Sequence, residues 1–238
     1  NTSYHGGFHC SVDRMLDMAR PIKTRERIVQ SSLELFNQSG ERSVSTNHIA
    51  AHLGISPGNL YYHFPNKQAI IAVLFSQYET HVDSFLRPPQ GRPLAVQDKR
   101  FYLQALLAAM WNYRFLHRDL EHLLGSDAEL AARYRRFSAR CMRQGKAIYR
   151  GFVEAGILAM NPAQQESLTI NAWIVLTSWV RFLSTTREHA THLGEEAFKR
   201  GVYQVLALEL GFVTEPARNA VQALCSEFHV PFIQALEH

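Results

Sequence analysis

Cysteine is scarce in this sequence, and no apolar run is long enough to span a bilayer. The three cysteines, Cys10, Cys141 and Cys225, are odd in number and far apart along the chain. They therefore form no disulfide framework and favour a reducing compartment, the cytoplasm. The longest apolar run, residues 170–183, is interrupted by Arg181 and by three uncharged polar residues. Such a run is too short and too polar to cross a membrane, and we expect no membrane partner.

Motifs that carry catalysis are also missing. The sequence contains no glycine-rich phosphate loop, no nucleophile elbow and no paired carboxylates, so we expect no cofactor. A helical enzyme that depends on a metal or a small molecule remains as an alternative. The formal net charge is only +4, although the isoelectric point is near 9.1, which is compatible with a polyanionic partner but does not require one. Residues 1–18 lack a signal-peptide pattern and are predicted to be a disordered tail.

Helical periodicity dominates the sequence, and no period-2 alternation indicates strands. With 238 residues and 46% hydrophobic residues, the chain can bury one large core or two small ones. We predict an all-α chain of roughly nine or ten helices, with a loop in the stretch RPPQGRP. The predicted helices cover residues 23–38, a short segment after Ser45, 56–64, 66–86, 97–117, 126–155, 162–186, 195–210 and a last segment from about 215.

The segment GISPGNLYYHFPNK fits one very short helix. Ser56 is a candidate N-cap, and Pro57 takes the first helical position, where its missing N–H costs nothing. At about 100° per residue, Leu60 and Phe64 share one face and must be buried, which turns Tyr62 outward. A helix, a glycine-containing turn and a short capped helix make a helix-turn-helix, whose second helix enters the major groove of DNA.

The outward face of this short helix carries side chains suited to DNA. Gly58 lets the helix backbone come close to the duplex, and Asn59 and Tyr61 can reach base edges. Tyr62 and His63 can donate hydrogen bonds to phosphates. The alternative is that both tyrosines pack against a neighbouring helix.

Charge along the same region agrees with a DNA partner. Thr46 and Lys67 each stand at a helix N-terminus, where free N–H groups favour an anion. Basic side chains outnumber acidic ones between residues 20 and 67, and four of them precede or begin the first helix, where they can lie along a DNA backbone. The basic residues are Arg20, Lys23, Arg25, Arg27, Arg42 and Lys67, and the acidic ones are Glu26, Glu34 and Glu41.

The stretch from Thr24 to Phe75 closely resembles the DNA-binding domain of TetR-family regulators. The resemblance rests on Leu-Phe at 35–36, IAxxLGIS at 49–56 and LYYHF at 60–64, followed shortly by Asn-Lys. It implies that one group of residues contacts the DNA backbone and another reads bases. The implied backbone contacts are Thr46, Tyr62, His63 and Lys67, and the implied base-reading residues are Ser56, Gly58, Asn59 and Tyr61.

The resemblance also implies how the chain is divided and used. Residues 19–67 would be the helix-turn-helix domain, and residues 68–238 a larger helical domain for ligand binding and dimerisation. The implied function is a homodimeric repressor that binds double-stranded operator DNA and is released by a small apolar or amphipathic molecule. A regulator without an inducer, and one that activates, remain alternatives.

Aromatic residues are dense in the second half, and most of them are expected to pack in the core. A stretch that opens with Trp111 resembles the start of one regulatory-domain subtype of the family. We expect four aromatic residues to line a ligand pocket: Trp111, Phe115, Phe137 and Trp173. Arg181 lies in an apolar run and needs a partner, which is either a ligand carboxylate or an acid such as Glu121 or Glu154.

The segment 195–210 is predicted to form half of a dimer interface. Its apolar residues fill an arc of about 200°, wider than one-sided packing requires. Gly201 in mid-helix lets another helix approach closely, and the segment 163–186 is the natural companion in a four-helix bundle across a two-fold axis. Leu208 lies at the edge of the arc. Burial of the whole helix within one subunit is the alternative.

Three other features suggest weaker alternatives. His48 and His52 are spaced i, i+4 and can bind a metal from one helix face, but no third ligand is evident. His189 and His192 fall in a predicted loop and are read as polar filler. Cys141 can sense oxidants in principle, but a lone helical cysteine is usually inert packing.

Overall fold

The computed structural model describes residues 23–186 and 194–231, and in these ranges the chain is helical, with no β-strand. This confirms the all-α class. The described residues form eleven α-helices: α1 (Thr24–Ser39), α2 (Thr46–Leu53), α3 (Pro57–His63), α4 (Lys67–Phe85), α5 (Val96–Asn112), α6 (Arg114–Arg118), α7 (Leu120–Ser126), α8 (Ala128–Glu154), α9 (Pro162–Thr186), α10 (Glu195–Glu209) and α11 (Arg218–Phe228). The predicted tail 1–18, Arg20, His189 and His192 lie outside the described residues.

Local sequence signals set the ends of the first helices. The Ser56 hydroxyl accepts a hydrogen bond from the Asn59 N–H at 3.1 Å and caps α3, with Pro57 as its first residue. Asn66 caps α4 in the same way. α2 ends at Gly54, whose φ of 66° lies in the left-handed region that other residues rarely adopt. The short helix and its caps therefore form as the sequence predicts.

The first three helices and the start of α4 share one core. Ile28 and Phe36 from α1, Ile49 from α2, and Leu60 and Phe64 from the α3 segment are all fully buried. Burial of each such side chain stabilises the fold by about 1.5–3 kcal/mol. A helix as short as α3 is marginal alone, so this packing rather than helix propensity holds it in place.

The prediction of one helix over residues 97–117 is wrong. α5 ends at Asn112, and the five-residue α6 begins at Arg114. The side chain of Asn37 in α1 spans this break: its amide donates to the Asn112 carbonyl at 2.8 Å, and its oxygen accepts from the Phe115 N–H at 3.1 Å. Arg118 also donates to the Phe36 carbonyl at 2.5 Å. Tertiary bonds to α1 therefore replace the helical bonds that a continuous α5 would have.

α5, α8, α9 and α10 surround an interior cavity together with residues of α4 and α6, and α11 packs outside it on α5 and α10. α10 packs closely on α9, because the missing side chain of Gly201 makes room for the indole of Trp179. Trp179 also donates to the Ala197 carbonyl at 2.6 Å. The helix that Gly201 admits is thus α9 of the same chain. Phe198, Val202, Val205 and Leu206 are buried here too.

Outside α3, large apolar side chains remain exposed at three positions of α9, at Phe101 of α5 and at the end of the α10 segment. Ile170, Ile174 and Phe182 repeat at multiples of four residues, and Ile174 is 52% exposed. At the end of the predicted segment 195–210, Leu208 is 37% exposed and Leu210, just after α10, is 44% exposed. The wide arc of α10 is therefore explained largely by packing within the chain. No helix among the described residues is long and apolar enough to cross a membrane.

Candidate DNA-binding surface and interior cavity

The helix α3 presents a polar and aromatic face to solvent. Tyr62 is 85% exposed and Tyr61 is 47% exposed, whereas Leu60 between them and α1 is fully buried. Asn59 and Gly58 are also exposed, and no neighbouring atom lies near the position that a Gly58 side chain would take, apart from the cap hydroxyl at 4.0 Å. The face predicted to meet DNA is thus open to solvent in the described chain, apart from a contact between Tyr61 and Thr46 of α2.

Two further predicted contacts flank this face. The hydroxyls of Thr46 and Tyr61 are hydrogen-bonded at 3.0 Å, so the N-terminus of α2 is tied to the middle of α3. His63 is half-buried, and its ring meets the edge of Tyr62 at 5.1 Å between centroids. The structure therefore brings Thr46, Tyr61, Tyr62 and His63 to one surface.

Lys67 has a different environment from the one its sequence position suggests. Its ammonium lies 2.6 Å from the Glu41 carboxylate and donates to the backbone carbonyls of Glu41 and Val44 at 3.0 and 3.1 Å. The Glu41 side chain is only 4% exposed. Lys67 thus closes the loop between α1 and α2, and a phosphate contact by this side chain stays a prediction. The only sequence signal for Glu41 is its place directly after the helix-ending Gly40.

Exposed basic residues lie at the start of α1 and in the loop after it, and one of them, Arg25, borders the α3 surface. Lys23, Arg25 and Arg27 at the start of α1 are exposed, as is Arg42 in the following loop. The Arg25 guanidinium lies over the Phe64 ring at 4.7 Å from its centroid, which holds this cation beside the end of α3. Positive charge next to exposed hydroxyl and amide groups suits a phosphate backbone.

An interior cavity of about 130 Å³ lies between α4, α5, α8, α9 and α10. Phe137 and Trp173, two of the four aromatic residues expected at a ligand pocket, line this cavity, and their contact with a ligand stays a prediction. Trp111 and Phe115 do not belong to this lining. Trp111 packs edge-on against Phe198, and Phe115 is fully buried against Phe36 of α1, so both serve packing.

One end of the cavity carries a buried ion pair that the sequence analysis missed. The Lys99 ammonium is bonded to the Glu209 carboxylate, and both residues are buried. The Tyr149 hydroxyl donates to the other Glu209 oxygen at 3.0 Å. Burial, together with the neighbouring carboxylate, raises the pKa of Tyr149. The available sequence signal was Glu209, which lies among apolar residues at the end of α10, whereas Lys99 stands between Asp98 and Arg100 and reads as part of a charged helix start.

Another polar pair, Tyr78 of α4 and His117 of α6, also lines the cavity. The Tyr78 hydroxyl and the His117 Nε2 are 3.3 Å apart, and both side chains are buried. Burial lowers the pKa of His117 to about 4, so its imidazole is neutral at pH 7. This pair connects the cavity to the helices that touch the first domain.

Comparison with known proteins identifies the family. A family model described as bacterial regulatory proteins of the tetR family matches residues 28–74, and the model TetR, described as a bacterial transcriptional repressor, matches residues 77–221. The chain belongs to the TetR family. The predicted resemblance of its first domain to TetR-family regulators is thereby confirmed.

A crystal structure of a TetR-family transcriptional regulator from Marinobacter aquaeolei VT8 is 45% identical and covers 87% of this chain and all of that chain, with a TM-score of 0.80. The transcriptional regulator UidR of Escherichia coli K12 is 37% identical over 81 residues, which are 34% of this chain and 40% of UidR. The class A tetracycline repressor from transposon 1721 of Escherichia coli is 32% identical over 84 residues, 34% of this chain and 39% of that repressor. The match thus spans about 40% of the length of these two relatives.

Three other expectations concern Arg181, the pair His48 and His52, and Cys141 of this TetR-family chain. Arg181 is exposed and pairs with Glu121, which was one of the two protein acids proposed for it. His48 accepts from the Ser45 N–H at 3.5 Å and completes the capping box of α2, while His52 is exposed. Cys141 lines the cavity, and burial raises the pKa of its thiol to about 12, so the unreactive protonated form prevails.

Two helices of this TetR-family chain connect the cavity with the DNA-binding surface. α4 begins at Lys67 beside α3 and reaches the cavity at Tyr78 and Val82. Glu79 of α4 is bound to Arg133 of α8 at 2.5 Å, which fixes α4 to the wall of the second domain. α6 lines the cavity through His117 and holds α1 through the Asn37 bonds. α4 and α6 therefore each contact both the cavity and the first helices of the chain.

Proposed function

We propose that this TetR-family protein is a transcriptional repressor that binds double-stranded operator DNA in the cytoplasm through α3. The single observation that carries the proposal is the exposure of Tyr62 at 85% on a helix whose opposite face is fully buried. Packing inside the chain does not account for an aromatic side chain in that position. Residues 19–67 would form the DNA-binding domain, and residues 68–238 the regulatory and dimerisation domain.

The roles of the surface residues follow from their chemistry. Tyr62, His63 and Thr46 would donate to phosphates, which positions the protein without reading sequence. Asn59 and Tyr61 would contact base edges, with the backbone at Ser56 and Gly58 close to the groove. Lys67 would act mainly through its bond to Glu41, and its helix N-terminus can still face a phosphate.

We propose that two chains pair through α9, with α10 at the edge. The apolar stripe of Ile170, Ile174 and Phe182 is exposed in the single chain, and the exposed Leu208 of α10 adds to the apolar surface of this half. Two such faces related by a two-fold axis give a four-helix bundle. A dimer would place two α3 helices on successive major grooves, which a single chain cannot do.

The cavity would hold the small-molecule effector. Its walls are largely apolar and aromatic, which suits an apolar or amphipathic molecule. A ligand that fits better when α4 and α6 have moved would shift the population toward a dimer whose α3 helices no longer match DNA. A coupling of about 1–3 kcal/mol, or roughly 5–150-fold in DNA affinity, is typical of such regulation. We propose neither a cofactor nor an enzymatic activity.

A mobility-shift experiment with titrated salt tests the DNA-binding claim. For a protein that neutralises several phosphates, the logarithm of the affinity falls linearly with the logarithm of the salt concentration, with a slope of about −0.9 per phosphate. We expect this slope with duplex DNA, and weaker binding to duplex RNA of the same sequence, whose major groove is too deep and narrow for α3. Affinity that does not depend on salt would contradict the proposal.

A further inference from the structure

The interior cavity combines apolar walls with one charged end. Lys99 and Glu209 are bonded to each other inside it, although a buried ion is costly unless it is paired. The partners of the ion pair, Tyr149 and Phe152, belong to α8, and none of its contacts involves α3. Its place in the wall of an otherwise apolar cavity requires an explanation.

The charges in the cavity lining balance. Lys99 and Glu209 are opposite in sign, and the remaining polar groups of the lining are neutral at pH 7. Burial holds the pKa of His117 at about 4 and raises that of Cys141 to about 12. The other neutral polar side chains of the lining are Tyr78, Tyr102, Tyr149, Thr169 and Thr177. An ionic ligand would therefore enter without a free counter-charge, which disfavours it strongly.

The ion pair nevertheless keeps hydrogen-bonding capacity. Within the described part of the chain, the Lys99 ammonium donates only to Glu209 and otherwise faces the ring of Phe152, 4.1 Å from its centroid. It has three donors in all. Glu209 accepts one bond at each oxygen, from Lys99 and Tyr149, and a carboxylate can accept about four. A hydroxyl both donates and accepts, so it can use both remaining capacities together.

The size of the cavity limits the ligand. Its volume of about 130 Å³ is close to that of an apolar cavity of ~150 Å³ that takes up benzene. Tyr102, Phe137, Phe152 and Trp173 supply flat aromatic walls. The space therefore suits one aromatic ring or a group of that size.

We propose that the cavity takes a neutral molecule about the size of one aromatic ring, whose hydroxyl group binds to the Lys99–Glu209 pair. This inference rests on the proposed function, because it names the class of ligand for the effector site proposed there. It is tested without DNA, so that the two can fail separately.

The probes are four single-ring compounds of matched size: benzyl alcohol, toluene, benzoate and benzylammonium. Calorimetric titration of the full chain at pH 7 should give binding of benzyl alcohol, with benzoate and benzylammonium weaker by at least about tenfold because their charge is unbalanced. Equal or tighter binding of either ion would overturn the inference. Failure of all four to bind at millimolar concentrations would overturn it as well.

Variants of the ion pair test the hydroxyl contact. In the double variant Lys99→Met/Glu209→Leu both charges are removed together, so the net charge of the cavity stays zero. The ratio of benzyl alcohol affinity to toluene affinity should fall about tenfold, because a hydrogen bond to a charged group is lost. An unchanged ratio would show that the pair does not bind the hydroxyl. In Glu209→Gln the Lys99 cation has no counter-charge, so the ratio of benzoate affinity to benzyl alcohol affinity should rise about tenfold. The ranking of the probes on the unmodified chain decides the charge claim even if these variants fold poorly.

The matched control is another lysine–glutamate pair of the same domain. Lys146 and Glu166 are 2.7 Å apart and exposed, outside the cavity. Lys146→Met/Glu166→Leu should leave all four probe affinities unchanged, and a shift equal to that of the cavity variant would overturn the assignment. DNA affinity measured in parallel separates the claims. Loss of salt-dependent DNA binding would contradict the proposed function and leave the probe ranking intact.

Discussion

Replacing Tyr62 with phenylalanine removes one hydroxyl from the DNA-facing side of α3 and changes little else. The side chain is 85% exposed, and within the described residues its ring makes a T-shaped contact with His63 alone. No packing in the core depends on the hydroxyl. We therefore expect the free energy of unfolding to change by less than about 0.5 kcal/mol, as for most surface substitutions.

The expected loss in DNA affinity is large by comparison. A hydrogen bond to a charged acceptor such as phosphate contributes about 1.5–3 kcal/mol. A dimer makes the contact twice, so the lower value gives about 3 kcal/mol, or roughly 150-fold in affinity. Because phosphates carry no sequence information, operator and random DNA should be weakened alike. Because the hydroxyl is uncharged, the salt slope should not change.

Fluorescence anisotropy with labelled duplexes measures both affinities, and circular dichroism checks the fold. The matched control is Tyr203→Phe, which removes a hydroxyl from α10, away from α3, and should leave DNA binding unchanged. If the folded Tyr62→Phe protein bound DNA as tightly as the original, the exposed tyrosine would not be a phosphate contact. A loss confined to one DNA sequence would instead make Tyr62 a base-reading residue.

Three further perturbations test the stability, the pH response and the assembly. Lys67→Met leaves the buried Glu41 without its lysine, although the His122 imidazole stays 3.6 Å from its other oxygen, and should lower the free energy of unfolding in urea by about 2–3 kcal/mol. A side chain that only contacts phosphate would cost nothing in the absence of DNA. His117 has its pKa lowered from 6.5 to about 4, so the unfolded chain binds the proton first and stability falls as the pH drops through this window. Between pH 7 and 5 the free energy of unfolding of the original chain should fall by about 2 kcal/mol more than that of the His117→Gln variant. Equal decreases in the two proteins would contradict a buried neutral imidazole. Ile174→Glu and Leu208→Glu should each yield folded monomers in sedimentation, with the larger monomer fraction for Ile174→Glu. Variants that stay dimeric would show that the interface lies on another surface.

The parts of the fold that the sequence predicts correctly are governed by local signals. The capping of α3 by Ser56, its start at Pro57 and the burial of Leu60 all depend on residues within one short segment. The outward direction of Tyr62 follows from helical geometry once those neighbours are fixed. The same holds for the end of α2 at Gly54, where a positive φ is needed.

The parts that sequence reasoning missed depend on contacts between distant residues. The break after Asn112 is bridged by Asn37, which is 75 positions away, so no sequence pattern near the break predicts it. Lys99 and Glu209 are 110 positions apart, and their pairing appears only when α5 and α10 are packed together. Which aromatic residues line the cavity depends likewise on helix packing, and Phe115 was misassigned because it packs on α1 instead.

The central claim is that two copies of α3 read DNA together. The most direct measurement is selection of duplexes from a random-sequence pool by the purified full chain, followed by sequencing. The account predicts a two-fold symmetric site whose half-site centres lie one helical turn of about 10 base pairs, or a small multiple of it, apart. The same selection with an Asn59→Ala protein should relax the preference within each half-site and leave the spacing unchanged. Enrichment of a single asymmetric half-site, or no enrichment at all, would contradict the account.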